Sequence, residues 1–158
     1  MDPQARLREL GLELPPVPTP AGSYVPATRT GGLIFTAGQL PFRDGELHRT
    51  GKVGAAVMLE EAQEAARLCA LNAVAAAAEM AGGLANLRDV VKVTGFVAST
   101  PGFNGQPDVL NGASELLGEL FGEAGLHARS AVGVAELPLD APVEVEVVFG
   151  LDPPAPAL

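Results

Sequence analysis

Residues 143–147 alternate between valine and glutamate. Because successive side chains of a β-strand point to opposite faces of its sheet, this run predicts a strand with buried valines on one face and Glu144 and Glu146 on the other. Residues 129–134 alternate with the same period and predict a second strand. Between the two strands, residues 137–142 include two prolines, which cannot donate to a β-ladder. We therefore expect a turn here, and a hairpin formed by the two strands.

The preceding chain predicts two helices and three more strands. Residues 58–81 place alanines and larger apolar side chains at helical spacing and end at a Gly-Gly pair, which favours a helix stop. Residues 107–122 begin with Pro-Asp and predict a second helix, with Leu110, Ser114, Leu117 and Phe121 facing inward. Residues 24–41 are typical of a hairpin around a Gly-Gly turn, and residues 90–98 of a central strand.

The resulting order, β-β-α-β-α-β-β, predicts an α+β fold with one mixed sheet and two helices on one face. The other sheet face would carry valine and alanine side chains that are too apolar to remain in water as one patch. We therefore expect the chain to form an oligomer that covers this face.

At 158 residues, the chain fits one folded domain. We expect an N-terminal arm at residues 1–20, made of a short helix and a proline-rich linker and more mobile than the rest. A single domain would occupy residues 21–152, and residues 153–158 would form a C-terminal tail.

Composition limits the classes of partner. The chain has 10 basic and 19 acidic side chains, a net charge of −9 that disfavours nucleic acid. Its single cysteine, Cys69, lies at an inward helix position and is expected to be a small buried side chain. We predict no metal site, because His48 stands alone in a polar loop. With no apolar run of membrane-spanning length and no signal-peptide pattern, we expect a soluble, cytoplasmic protein with no membrane partner.

Two segments resemble the Rid/YjgF family of reactive intermediate deaminases. The run from Arg129 through Ser-Ala-Val to the Val-Glu-Val-Glu strand is similar to the family's C-terminal signature, and Ile-Phe-Thr-Ala-Gly-Gln-Leu-Pro at residues 34–41 resembles its second strand. The resemblance covers residues 24–149. It implies a chorismate-mutase-like fold assembled as a homotrimer, with ligand clefts between subunits.

The same resemblance implies an activity. Family members of known activity hydrolyse imines and enamines of amino acids, such as 2-aminoacrylate, to 2-keto acids and ammonia without a cofactor. Arg129 would hold the substrate carboxylate, and Glu144 would position the attacking water. The other implied substrate contacts are Tyr24 from a neighbouring subunit, the Gly38 backbone, Asn111, and Ala131, where well-known members carry a cysteine.

The residue types alone leave other interpretations open. Arg129 is also typical of a surface ion pair, Glu144 of a solvated strand face, and Gly38 of a β-bulge. One alternative function is a trimer that binds a small carboxylate, such as a keto acid, without turnover. Another is an endoribonuclease, with His127 as the base. The acidic composition and the lack of a histidine pair argue against it, and His127 more simply packs at the start of a strand.

Overall fold

The computed structural model describes residues 1–20 and 22–152, so the predicted tail at residues 153–158 lies outside the described part. Within these residues there are three α-helices: α1 (Pro3–Glu9), α2 (Leu59–Ala81) and α3 (Gln106–Phe121). The same part of the chain forms seven strands: β1 (Ala27–Thr30), β2 (Leu33–Thr36), β3 (Phe42–Arg43), β4 (Glu46–Leu47), β5 (Leu87–Ala98), β6 (Ala128–Val134) and β7 (Val143–Leu151).

Five of these strands form one mixed sheet in the order β1-β2-β7-β5-β6. All neighbouring pairs are antiparallel except β5 and β6, which run parallel. Helices α2 and α3 pack on one face, which confirms the predicted α+β architecture. The other face, called the open face below, has no helix over it among the described residues.

The predicted hairpin of the last two strands is wrong. Both strands form where the alternation placed them, but they lie on opposite sides of β5 and do not pair. Arg129 of β6 pairs with Val93, and Glu144 of β7 pairs with Phe96. Since β6 is parallel to β5 and β7 antiparallel to it, the segment 135–142 crosses over the end of β5 instead of making a tight turn.

The core lies between the sheet and the two long helices. Val143, Val145 and Val147 are at most 1% exposed and face α2, as the alternation predicted. Helix α2 contributes mainly alanines, which let it approach the sheet closely. It ends at Gly82, whose φ of 78° is the left-handed conformation of a helix C-cap.

The polar loop predicted at residues 42–54 contains the two-stranded ribbon β3–β4. The short helix expected in the N-terminal arm is α1, which packs against the domain: Leu7 is 3% exposed, and Nε of Arg6 donates to the Glu119 carbonyl of α3. The expected mobility of the arm stays a prediction. Among the described residues, no helix is long and apolar enough to cross a membrane.

Candidate functional site

Arg129 lies on the edge strand β6, on the sheet face that the helices cover. Its Nη1 donates to Asn111 Oδ1 at 2.9 Å and to Ser114 Oγ at 3.1 Å, and its Nη2 donates to the Pro107 carbonyl at 3.2 Å. All three acceptors belong to α3. Asn111 and Ser114 are three residues apart and therefore share one helix face. The structure thus brings together Arg129 and Asn111, two of the predicted site residues.

These contacts do not use all the donors of the guanidinium. Arginine has five N–H donors, and three hydrogen bonds from Nη1 and Nη2 engage Arg129, while its Nε donates to no acceptor within residues 1–20 and 22–152. The Nε and Nη2 donors of an arginine have the spacing that suits the two oxygens of a carboxylate. None of the ion pairs within residues 1–20 and 22–152 includes Arg129. Arg129 is therefore half-buried, held by neutral acceptors, and able to bind an anion.

Glu144 lies on the open face, beneath Gly38. The β2–β7 ladder ends at the pair Phe35–Val148, after which Thr36 Oγ1 accepts from the Val147 N–H. Pairing resumes where Gln39 N–H donates to the Val145 carbonyl at 2.8 Å. The chain after β2 uses one residue more than β7 over this stretch, so a bulge forms. A Cβ on Gly38 would overlap the Glu144 carboxylate, and only glycine allows so close an approach.

The environment of Glu144 favours its protonated form. Partial burial raises the pKa of its carboxyl above the ordinary value, and the negative charge of Glu146 raises it further. A carboxylate with a raised pKa is a stronger base than an ordinary glutamate, which suits a group that takes a proton from water.

One chain does not bring Arg129 and Glu144 together. They lie two strands apart and three residues apart along β5, so their backbones are separated by about 14 Å, and their side chains point to opposite faces. Tyr24, 56% exposed, precedes β1 at the far edge of the sheet, about 19 Å from β6. Ala131 follows Arg129 on the helix-covered face and pairs with Gly95.

Two further residues at the site are absent from the predicted set. Ser114 contacts Arg129, and its Oγ also lies 2.9 Å from Nε2 of His127. Ser114 lies three residues after Asn111 on α3, and this spacing, which places both on one helix face, is the sequence signal that could have identified Ser114. His127 was predicted to pack at the strand start, and its ring is indeed half-buried, with Nδ1 2.6 Å from the Gly125 carbonyl.

Within residues 1–20 and 22–152, neither the cysteine nor a cluster of metal-binding side chains forms a second site. Cys69 is buried, and burial raises the pKa of its thiol well above the ordinary value, with a smaller contribution from the charge of Glu144. This confirms the prediction of a small buried side chain. In the described part of the chain, no three His, Cys, Asp or Glu residues are grouped so that they could hold a metal ion.

Residues 4–150 match a family described as "YjgF/chorismate_mutase-like, putative endoribonuclease". The chain belongs to the Rid/YjgF family. A crystal structure of protein Atu1372 from Agrobacterium tumefaciens, described as having unknown function, superposes with a TM-score of 0.86 at 45% identity, over 96% of this chain and 94% of the other. The predicted chorismate-mutase-like fold is therefore confirmed.

Relatives within the Rid/YjgF family carry different names. Protein TCP17 of Trypanosoma cruzi is 44% identical over 94% of this chain and 93% of its own length. A 2-iminobutanoate/2-iminopropanoate deaminase of Dermatophagoides farinae is 33% identical over 89% of this chain and 95% of its own length. The family match also includes most of the N-terminal arm, which the sequence resemblance did not cover.

Proposed function

We propose that this protein hydrolyses reactive 2-imino and 2-enamino acids, such as 2-aminoacrylate, to 2-keto acids and ammonia. The observation that carries the proposal is the Arg129 guanidinium, which neutral acceptors hold in place and which no carboxylate of residues 1–20 and 22–152 neutralises, so that it can bind a small carboxylate. The name of the 33% identical deaminase supports the same substrate class.

In this reaction, Arg129 holds the carboxylate and thereby fixes the position of the imine carbon. An enamine first takes a proton from water on its Cβ and so becomes the iminium. Glu144 takes a proton from water as the water oxygen bonds to the iminium carbon and the C=N π electrons move onto nitrogen. Glu144 then returns this proton to the nitrogen of the carbinolamine. The C–N bond breaks, ammonia leaves with the electron pair, and the hydroxyl proton passes to water as the carbonyl of the keto acid forms. Since an iminium is already electrophilic, no metal is required for this step.

The site is completed between subunits of a homotrimer in this proposal. Glu144 and Arg129 of one chain point to opposite sides of the sheet, so a shared cleft needs Glu144 of one copy and Arg129 of another. The open face supports this assembly because it carries exposed apolar side chains: Phe35 is 41% exposed and Val132 45%.

The proposal is tested by generating 2-iminobutanoate with an amino-acid oxidase and following the appearance of 2-oxobutanoate. Purified protein should accelerate it. Arg129→Ala should lower kcat/KM by about 100-fold, which corresponds to a lost charge-assisted pair of about 3 kcal/mol. Glu144→Gln should lower kcat while leaving keto-acid affinity nearly unchanged.

Arg8, an exposed arginine on α1, provides a matched control. Arg8→Ala should retain full activity. Equal loss in the Arg8 and Arg129 variants, or full activity in the Arg129 variant, would reject the assigned role.

A carboxylate-binding protein without turnover is the second candidate. The separation of Arg129 and Glu144 within one chain favours this binding function, since Arg129 and Asn111 could hold a keto acid without Glu144. Calorimetric binding of 2-oxobutanoate without any acceleration of imine hydrolysis would identify this function.

A further inference from the structure

A chain of hydrogen bonds leads from a backbone carbonyl to the Arg129 guanidinium. The Gly125 carbonyl lies 2.6 Å from Nδ1 of His127, Nε2 of that ring lies 2.9 Å from Ser114 Oγ, and the same Oγ lies 3.1 Å from Nη1 of Arg129. The four groups come from the turn after α3, from α3 itself and from β6. Neither Ser114 nor His127 is among the substrate contacts that the family resemblance implies.

The direction of each bond follows from donor and acceptor chemistry. A carbonyl oxygen can only accept, so the His127 proton is on Nδ1. In the neutral ring, Nε2 is then an acceptor, and the Ser114 hydroxyl donates to it. The lone pairs of the Ser114 oxygen accept from Nη1 of Arg129, a group that can only donate. One neutral tautomer of His127 therefore satisfies every group in the chain.

The geometry points to His127 and Ser114 as positioning residues that fix the Arg129 guanidinium with its Nε–Nη2 edge presented to a ligand carboxylate. This inference rests on the proposed function, in which Arg129 binds the substrate carboxylate. Nη1 donates to both Asn111 and Ser114, so the guanidinium cannot turn without breaking two hydrogen bonds. A guanidinium already held in one orientation loses less conformational freedom when the ligand binds.

The first test is the tautomer of His127. The chain has only two histidines, so a nitrogen-15 imidazole NMR spectrum contains His127 and one internal reference, His48. Assignment through His48→Gln should show His127 with its proton on Nδ1 and an unprotonated Nε2. Ser114→Ala should shift the Nε2 resonance of His127 and leave His48 unchanged. A proton on Nε2 at neutral pH, or no response to Ser114→Ala, would overturn the inference.

The second test is the affinity for 2-oxobutanoate. Ser114→Ala should raise Kd and KM about ten-fold, the effect of one hydrogen bond to a charged group, while kcat changes far less. Ser114→Thr keeps the hydroxyl and should restore affinity. Ser99→Ala is the matched control, because Ser99 is also half-buried but bonds to Val97 and Gln106 instead of Arg129. Unchanged affinity in Ser114→Ala would contradict the positioning role.

The two proposals fail in different ways. If the wild-type protein binds 2-oxobutanoate but does not hydrolyse imines, the reaction is rejected while the Kd of the Ser114 variants still decides the positioning role. If the wild-type protein binds no keto acid, both are rejected. If it hydrolyses imines and Ser114→Ala matches it in Kd and KM, only the positioning role is rejected.

Discussion

Among single residues, Glu144 should make folding depend on pH in a definite direction. Partial burial, and then the charge of Glu146, raises the pKa of its carboxyl, so the folded chain holds this proton more tightly than the unfolded chain does. The group therefore stabilises the fold fully below the ordinary glutamate value of 4.5, and this contribution is lost as pH rises through the raised pKa.

Glu144→Gln, which cannot ionise at this position, should consequently gain stability relative to wild type as pH rises from the ordinary glutamate range to neutrality. Urea unfolding at both pH values measures the difference. Glu146→Gln removes the nearby negative charge, which is the smaller of the two causes that raise the pKa of Glu144. The pKa of Glu144 should therefore fall toward its ordinary value, and the stability of this variant should depend less on pH than that of wild type. A stability difference between Glu144→Gln and wild type that is the same at both pH values would contradict this account.

The sequence could indicate which residue types belong to the site but not their contacts. The signature around Arg129 and Glu144 predicted a carboxylate ligand and a water-positioning group, and these roles stay predictions. The structure places Asn111 next to Arg129, and the role of Asn111 in binding a ligand likewise stays a prediction. The part played by Ser114 depends on the rotation of α3 about its own axis, which packing against the sheet fixes and residue spacing alone does not.

At the level of elements, the two helices approach so closely that one glycine has no room for a methyl group. A Cβ at Gly112 of α3 would overlap the Gln63 carbonyl of α2, whereas a Cβ at Gly118 of the same helix meets nothing within 4 Å. Gly112→Ala should therefore lower the free energy of unfolding by about 2 kcal/mol through overpacking. Gly118→Ala should raise it by about 0.5–1 kcal/mol, because alanine is the better helix former.

Urea unfolding of both variants beside wild type measures this difference. The pair is matched in helix and in substitution, so helix propensity acts equally on both and only the contact with α2 differs. Equal shifts in the two variants would show that α2 and α3 are not in backbone contact at Gly112.

The pairing of strands was harder to predict than their existence. Periodicity located β6 and β7 because it is a local property of the side chains. The predicted pairing was wrong because it rested on the rule that strands adjacent in sequence usually pair, whereas here β5 lies between β6 and β7. The parallel pairing of β5 with β6 depends on α3 crossing from the end of one strand to the start of the other, which is a property of the whole fold.

At the level of the whole molecule, the open face should drive assembly. We expect wild-type protein, with a chain mass of 16.1 kDa, to sediment as a trimer. Phe35→Glu introduces a charge on the open face and should dissociate it. Met80→Glu is a close control, because Met80 is 42% exposed against 41% for Phe35 but lies on α2, in the helix layer. A monomeric wild type, or dissociation of both variants, would exclude the open face as the interface.

A shared cleft makes a further prediction about mixtures of inactive subunits. An Arg129→Ala chain retains Glu144, and a Glu144→Gln chain retains Arg129, so a trimer that contains both has interfaces where the two native residues face each other. Random assembly of a cyclic ring with head-to-tail interfaces gives such a pairing in roughly one quarter of the clefts. Mixing the two variants through a cycle of unfolding and refolding should therefore recover about that fraction of wild-type imine hydrolysis, while each variant refolded alone stays inactive. A mixture without activity would show that no cleft combines Arg129 of one subunit with Glu144 of another.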